Sequence, residues 1–295
     1  MANLKEIKIK IGSVKNTQKT TKAMKLVSSA KLTRTRQLSE QARSYARKIN
    51  DVLSDIAARV SKVQDEGNIG RAFVQNNAPK TVDIVFVTAD KGLCGGFNMA
   101  TIKTVSKMIT EYEEKGTKVR LRAAGRKGVD FFSFQGMTLE QKVSDLSSAP
   151  DYDRAADFIN DVVEDFKNEV TDKVVLVYNG FLNMLAQEIR VRELLPISLE
   201  KVEISDTASM LNIEPEDDED EVLNELTEKY IDFNMYYALI DSLAAEHSAR
   251  MQAMEAATKN AKEKVNSLTV EYNKARQAAI TTELIEIISG VEALK

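Results

Sequence analysis

One cysteine, one histidine and four prolines are spread over 295 residues, and each scarcity removes a class of protein. With Cys94 alone there is no internal disulfide, no cysteine-based zinc site and no intramolecular thiol switch. Beside its glycines, Cys94 reads as a small apolar filler. His247 alone leaves no catalytic triad or metal constellation to build. Between Ala244 and Met251 it is expected to be a packed or half-exposed side chain. No apolar run approaches the roughly 18 to 20 residues that span a bilayer. The start "MANLKEIKIK" alternates charge with apolar residues where a signal peptide would build an apolar core, so the expectation is a soluble, cytoplasmic chain.

The helix breakers that are present fall in the middle. The prolines are Pro79, Pro150, Pro196 and Pro215, and ten of the twelve glycines lie between Gly67 and Gly180, leaving only Gly12 and Gly290 outside. Both ends are therefore expected to be uninterrupted helices. Between them "TVDIVFVT", "KVRLRAAG", "KVVLVYNG" and "EIRVREL" read as strands, with helical runs near 98 to 115, 126 to 135 and 151 to 170. That alternation predicts an α/β domain on a mostly parallel sheet, of Rossmann-like type. At 43% apolar and 29% charged, the chain can bury such a core in one or two domains.

The C-terminal end has the strongest period. Steps of three and four from Leu223 meet Leu226, Tyr230, Phe233, Tyr237, Ile240, Ala244, His247, Met251, Met254, Thr258, Ala261, Val265, Leu268, Tyr272, Ala275 and Ala279. A seam kept up over about eight heptads is a coiled coil. The N-terminal end carries a matching pattern in two pieces, Leu4, Ile7, Ile11 and Val14, then Leu38, Ala42, Tyr45, Ile49, Val52, Ile56 and Val60. A globular domain between the two helices makes the pair antiparallel. The expected division is a first helix over 1–65, an α/β domain over 66–215 and a last helix over 216–295. At 1.5 Å per residue the helices measure roughly 90 and 110 Å, so the second overhangs by a few turns. The overhang places Ile280, Leu284, Ile287, Ile288, Val291 and Leu294 on an apolar stripe with no partner left in the chain.

Between the first strand and the helix after it lies "TADKGLCGGFN", where a phosphate loop would sit. Gly92, Gly95 and Gly96 match neither G-x-G-x-x-G nor the Walker pattern, since no Gly-Lys-Ser/Thr follows. The simpler reading is a tight turn whose glycines permit positive backbone angles and close approach to a neighbour. Asp90 and Lys91 are then free to pair at the surface or to contact a partner.

Three separated stretches carry a resemblance: "IKIGSVKNTQKTTKAMKLVSSAKL", "DKGLCGGFN", and "EHSARMQAMEAATKNA" with "YNKARQAAITTELIEIISG". In this order, over the whole chain, they closely resemble the gamma subunits of bacterial F-type rotary ATP synthases. Departures are mild: Thr20 and Thr21 where Ile-Thr is common, Phe97 where Leu is common, and an acidic "EPEDDEDE" at 214 to 221. The chain has no room for the redox-regulatory cysteine segment of chloroplast relatives.

The resemblance implies a coiled-coil shaft inside a ring of alpha and beta subunits, with the globular part against the epsilon subunit and the membrane c-ring. It implies a peripheral protein on the cytoplasmic side of the bacterial inner membrane. Neither catalytic residue, metal, cofactor nor direct nucleotide site is expected of it, because coupling rests on contacts that differ between states. Arg276 and Gln277 in "KARQAAIT" resemble polar contacts to a beta loop, and Thr281 and Glu283 resemble the neighbours that keep the engagement efficient. Met24, with Lys22 and Lys25, is expected at the same level as Arg250, and for Met24 seam packing is an equal alternative. Ile280, Leu284, Ile287, Ile288 and Val291 are the expected apolar bearing.

Charge agrees with this. Lys5, Lys8, Lys10, Lys15, Lys19, Lys22, Lys25, Lys31, Arg34 and Arg36 face only Glu6 in the first 36 residues. A basic block also suits nucleic acid or anionic lipid. These cations recur around the helix without interleaved aromatics, so acidic loops of beta subunits suit them better, and no nucleic acid is expected. Two rival classes are a nucleotide-binding enzyme with a coiled-coil arm, which needs a phosphate loop, and a cytoskeletal or nucleic-acid-binding coiled coil, which needs no glycine-rich domain between its helices.

Overall fold

The computed structural model describes residues 4–60, 72, 78–197 and 219–292. The elements are α1 (Leu4–Val60), β1 (Thr81–Val87), α2 (Phe97–Glu114), β2 (Lys118–Ala124), α3 (Arg126–Phe134), β3 (Gln141–Val143), α4 (Tyr152–Lys167), β4 (Lys173–Asn183), β5 (Ala186–Leu195) and α5 (Glu219–Glu292). The boundaries expected near 65 and 215 lie outside the described residues, as do most of the acidic 214–221 run and Leu294. The side chains of Val52, Ile56, Val60 and Leu223 lie outside them too. By packing, the chain forms two compact units, Ala30–Ala249 and Met1–Ser29 with Arg250–Lys295.

In the larger unit, a five-stranded sheet runs β3-β2-β1-β4-β5, parallel except for β5 against β4. β1 is buried along nearly its whole length, as a central strand covered on both faces must be. Val82, Ile84 and Phe86 meet Ile102, Val105 and Ile109 of α2 and Phe132 of α3. On the opposite face Val85 and Val87 meet Phe158, Ile159 and Val162 of α4, together with Ile231, Met235, Ala238 and Leu239 of α5. That face also buries charge. Asp83 accepts from Arg122 Nε at 2.8 Å, and Arg120 Nη2 donates to Asp165 Oδ2 at 2.7 Å. β4 turns into β5 through Met184 and Leu185, where Asn183 Oδ1 accepts the N–H groups of Leu185 and Ala186 at 2.8 and 2.9 Å.

Two glycines hold the crossover after β2. Gly125 has φ +108°, and a Cβ there would lie 1.9 Å from the Thr88 carbonyl oxygen; one at Gly128 would lie 2.5 Å from Phe86. Close approach thus falls at Gly125 and Gly128 and not at Gly92 or Gly96 of the loop "TADKGLCGGFN". In that loop only Gly95 is at positive φ among its glycines, and a Cβ on Gly92 or Gly96 would meet nothing within 4 Å.

Also in this unit, α1 and α5 run antiparallel: Ser39 bonds Asp241, and the Tyr45 ring meets Phe233 at 4.5 Å. The α1 seam differs from the expected one. Leu38 and Tyr45 are exposed, while Leu32, Thr35, Ser39, Ala42 and Ile49 are buried. The seam passes through Leu32, Thr35, Ser39, Ala42 and Ile49, which leaves Leu38 outward and Tyr45 at its edge, where its ring still meets Phe233. Along α5, nearly every residue from Ile231 to Arg250 is buried, His247 among them. This stretch is enclosed and has lost its one-sided stripe.

The smaller unit holds the remaining parts of both helices. Thr21 bonds Thr258 through their hydroxyls at 2.8 Å, and Lys25 pairs with Glu255 at 2.7 Å. As the α1 partner advances, the α5 partner retreats, which is antiparallel pairing. On α5 the buried or half-buried positions are Met251, Met254, Thr258, Ala261, Val265, Leu268, Tyr272, Ala275 and Ala279, the expected seam, with few others between.

Candidate partner-contact surface

Continuing the pairings of Thr21 with Thr258 and Lys25 with Glu255 brings Leu4 level with Ala275 or Arg276. Beyond that level no described residue of α1 faces α5. Every residue from Ile280 to Val291 is exposed. Ile280, Leu284, Ile287, Ile288 and Val291 are 49, 54, 63, 64 and 56% exposed, and Ile285, absent from the expected set, is 58%. Arg276, Gln277, Thr281 and Glu283 are exposed on the same stretch, with the Thr281 hydroxyl donating back to the Gln277 carbonyl at 2.9 Å. That bond turns the Thr281 hydroxyl back onto its own helix.

The other expected contacts divide. Lys22 is exposed, and Met24 is half-buried on the seam side. Lys25 is already engaged by Glu255. Arg250 is buried at 9% exposure and lies about 8 Å along α5 from the level of Met24, at 1.5 Å per residue, so the two do not share one level. The register, which hydropathy does not fix, moves it there. Next to Lys22, Leu26 and Val27 are 62 and 57% exposed. Sequence reading passed over them because they sit inside a basic block, although adjacent large apolar residues off the seam were the available signal.

The loop after β1 is packed by its own chain. In open α/β sheets ligands enter at the carboxyl ends of the strands. Here that place is taken by Ala89, Cys94 and Phe97 clustered with Ala245 and Ala249 of α5. Asp90, expected at the surface, is 7% exposed. Its carboxylate accepts the N–H groups of Arg126 and Asp145 at 3.0 and 3.1 Å and the Ser147 hydroxyl at 2.8 Å. Burial would raise its pKa, and these donors override burial and hold it below the ordinary value. Asp90 thus ties the first N–H of α3 to the loop after β3 and is spent on the fold. Among the described residues there is no cluster of three or more metal-ligating side chains and no helix long and apolar enough to cross a membrane.

A chain with a mixed α/β sheet between long first and last helices that pair antiparallel, the last with an exposed apolar end, is the class that these elements define. The family described as ATP synthase matches residues 3–294. The chain is 90% identical over 295 residues to the ATP synthase gamma chain of Aliarcobacter butzleri, and 58% identical over 296 residues to that of a Sulfurovum species, each match covering both chains whole. Its fold is similar to the central stalk and c-ring structure of the Tetrahymena thermophila mitochondrial ATP synthase, with a TM-score of 0.61 and 26% identity over 80% of this chain and 98% of that one. The Euglena gracilis mitochondrial rotor shares the fold at a TM-score of 0.61 and 17% identity, over 94% of this chain and 98% of that one. The chain belongs to the family of ATP synthase gamma chains, the central-stalk rotor subunits of that enzyme.

Proposed function

We propose that the chain couples rotation to catalysis without chemistry of its own, by turning its helix pair inside a ring of alpha and beta subunits. The observation that carries this is the exposed apolar end of α5, where Ile280, Leu284, Ile287, Ile288 and Val291 have no described partner in the chain. An apolar sleeve formed by the ring covers them and leaves the helix free to turn, since dispersion and hydrophobic contacts are non-directional. Arg276, Gln277, Thr281 and Glu283 beside the tip, and Lys22 with the half-buried Met24 on α1, meet successive beta subunits in different ways, while the buried Arg250 is spent within the chain. Each catalytic site then has a different nucleotide affinity at any moment. Exposed cations from Lys5 to Arg36 give acidic beta loops a nearly continuous track. The α/β domain contacts the epsilon subunit and the c-ring, on the cytoplasmic side of the inner membrane.

Neither nucleotide nor nucleic acid is a ligand in this reading. The test is capture of the tagged chain from cells expressing alpha and beta. One copy per three beta subunits is expected, with no ATP hydrolysis by the purified chain alone. Recovery of nucleic acid, or ATP turnover that saturates and survives further purification, would overturn the reading.

A further inference from the structure

Within the larger unit one buried carboxylate joins four elements. Asp241 of α5 is 2% exposed. Its Oδ2 accepts from Arg190 Nη1 of β5 at 2.7 Å and its Oδ1 from the Ser39 hydroxyl of α1 at 3.3 Å. Arg190 continues through Nη2 to the Phe181 carbonyl of β4 at 3.2 Å. Gly180 of β4 closes the junction: a Cβ there would lie 2.6 Å from both Arg190 Nε and Asp241 Oδ2. A side chain at 180 would therefore push the pair apart.

The surroundings show why such a costly feature matters. Elsewhere α5 meets the domain through Ile231, Met235, Ala238 and Leu239 on the sheet face and Ala245 and Ala249 over the loop. Interlocked apolar contacts resist separation and large shifts, but their energy follows area and sets no preferred direction for small ones. A desolvated, charge-assisted bond has a preferred direction and length, and it weakens steeply when either is changed. Three flanking polar ties along the same hairpin lack a bond between opposite charges: Ser248 Oγ to the Met184 carbonyl at 3.0 Å, Gln187 Nε2 to Ser248 Oγ at 3.2 Å, and Arg192 Nη1 to Asn234 Oδ1 at 3.5 Å. Burial pushes the Asp241 carboxyl up and Arg190 opposes this, so the charge is held there by its partner.

We infer that the Asp241–Arg190 pair, seated on Gly180 and tied to Ser39, is a positioning device that transfers torque between the β4–β5 hairpin and the two long helices. It rests on the rotor reading above and adds the residues through which load passes. Without the pair, the helices stay packed on the domain but slip under load.

The experiment uses the whole ATP synthase in inverted membrane vesicles, with the ratio of proton pumping to ATP hydrolysis measured against a rising opposing pH gradient. Asp241→Asn and Arg190→Met should each keep most of the unloaded hydrolysis and lower the ratio at least twofold under load. The double variant should be no worse than either single one, because both remove the same ion pair, Asn keeping only a neutral acceptor. Arg190→Lys, which keeps the charge, should recover part of the loss, and Gln187→Ala should leave the ratio unchanged. Where Asp241→Asn lowers the yield of complex, Ser39→Ala is measured in its place and should show a smaller loss of the same kind. Unchanged ratios in complexes carrying Asp241→Asn and Arg190→Met, additive losses in the double variant, or equal loss of hydrolysis and pumping would overturn the assignment. Failure of the wild-type chain to join alpha and beta subunits would instead overturn the rotor reading.

Discussion

Replacing Leu284, Ile287 and Ile288 together by Ser separates an apolar tip that is covered by partners from one that packs within the chain. The three side chains are 54, 63 and 64% exposed, so roughly three-fifths of each is still available for burial. Full burial of such a side chain is worth about 1.5 to 3 kcal/mol, and three-fifths of that over three residues gives about 3 to 5 kcal/mol. An assembly constant would fall by roughly two to four orders of magnitude. The isolated chain should scarcely respond, because exposed substitutions away from special features stay within about 0.5 kcal/mol. The assay pairs a thermal melt of the isolated subunit with the yield of complex when alpha and beta are co-expressed. A melt lowered by several degrees with assembly intact would refute the reasoning, since the stripe would then be buried against its own chain.

Three further outcomes are expected. Gly125→Ala should destabilise the isolated chain by more than about 3 kcal/mol, as its Cβ meets the Thr88 carbonyl at an unfavourable φ, whereas Gly92→Ala, with open space around it, should stay within about 0.5 kcal/mol by urea melt. Asp90→Asn should cost about 1 to 3 kcal/mol at pH 7. The folded pKa of Asp90 is depressed, so its contribution is full above the unfolded value and is lost as pH falls through the folded one; the gap between variant and wild type should therefore narrow below about pH 4, and a gap that does not change with pH would refute it. Ala261→Pro, at a buried seam position, should cost about 3 kcal/mol or more and lower the pumping-to-hydrolysis ratio of assembled complex, while an unchanged ratio would mean that an unbroken helix is not what carries the coupling.

What could be read from the sequence follows how many neighbours each stretch has. From Met251 to Ala279, α5 has a single partner, and the seam read by steps of three and four is the seam observed. From Ile231 to Arg250 the helix meets α1, the sheet and the hairpin at once, so burial all round erases the period that would reveal it. On α1 the expected gap between Val14 and Leu38 is filled by Leu32 and by Thr21, Ser28 and Thr35, small polar side chains that hydropathy scores as surface but that pack or bond in the seam. The four long strands were legible from their β-branched runs. β3 has three residues, Gln141–Val143, and no apolar signature. No strand pattern marks Asp83 and Arg122 as buried or Arg120 as half-buried; they are enclosed because the two arginines pair with Asp83 and with Asp165 of α4.

The same contrast runs along α5 and bears on its role. Where the chain encloses this helix, the small residues Ala238, Ala244, Ala245, Ser248 and Ala249 are interleaved with the large Ile231, Phe233, Met235, Tyr237, Leu239 and Ile240, and they let strands, loop and α1 come close from several sides. Beyond Ala279 the apolar positions change to Ile280, Leu284, Ile285, Ile287, Ile288 and Val291, all large and all exposed. Small residues give close, interlocking approach and a fixed position, to which Asp241 adds direction. Large aliphatic side chains give a broad, smooth surface whose contact energy changes little with angle. The enclosed part mixes small residues among large ones and the exposed tip is large throughout, a difference that helix propensity does not explain, since Ala, Leu and Ile are all tolerated in helices at a cost of a few tenths of a kcal/mol, roughly, per residue. Substituting the tip with Ala should therefore keep the helix and lose the bearing, whereas placing Leu at Ala245 or Ala249 should keep the bearing and loosen the grip.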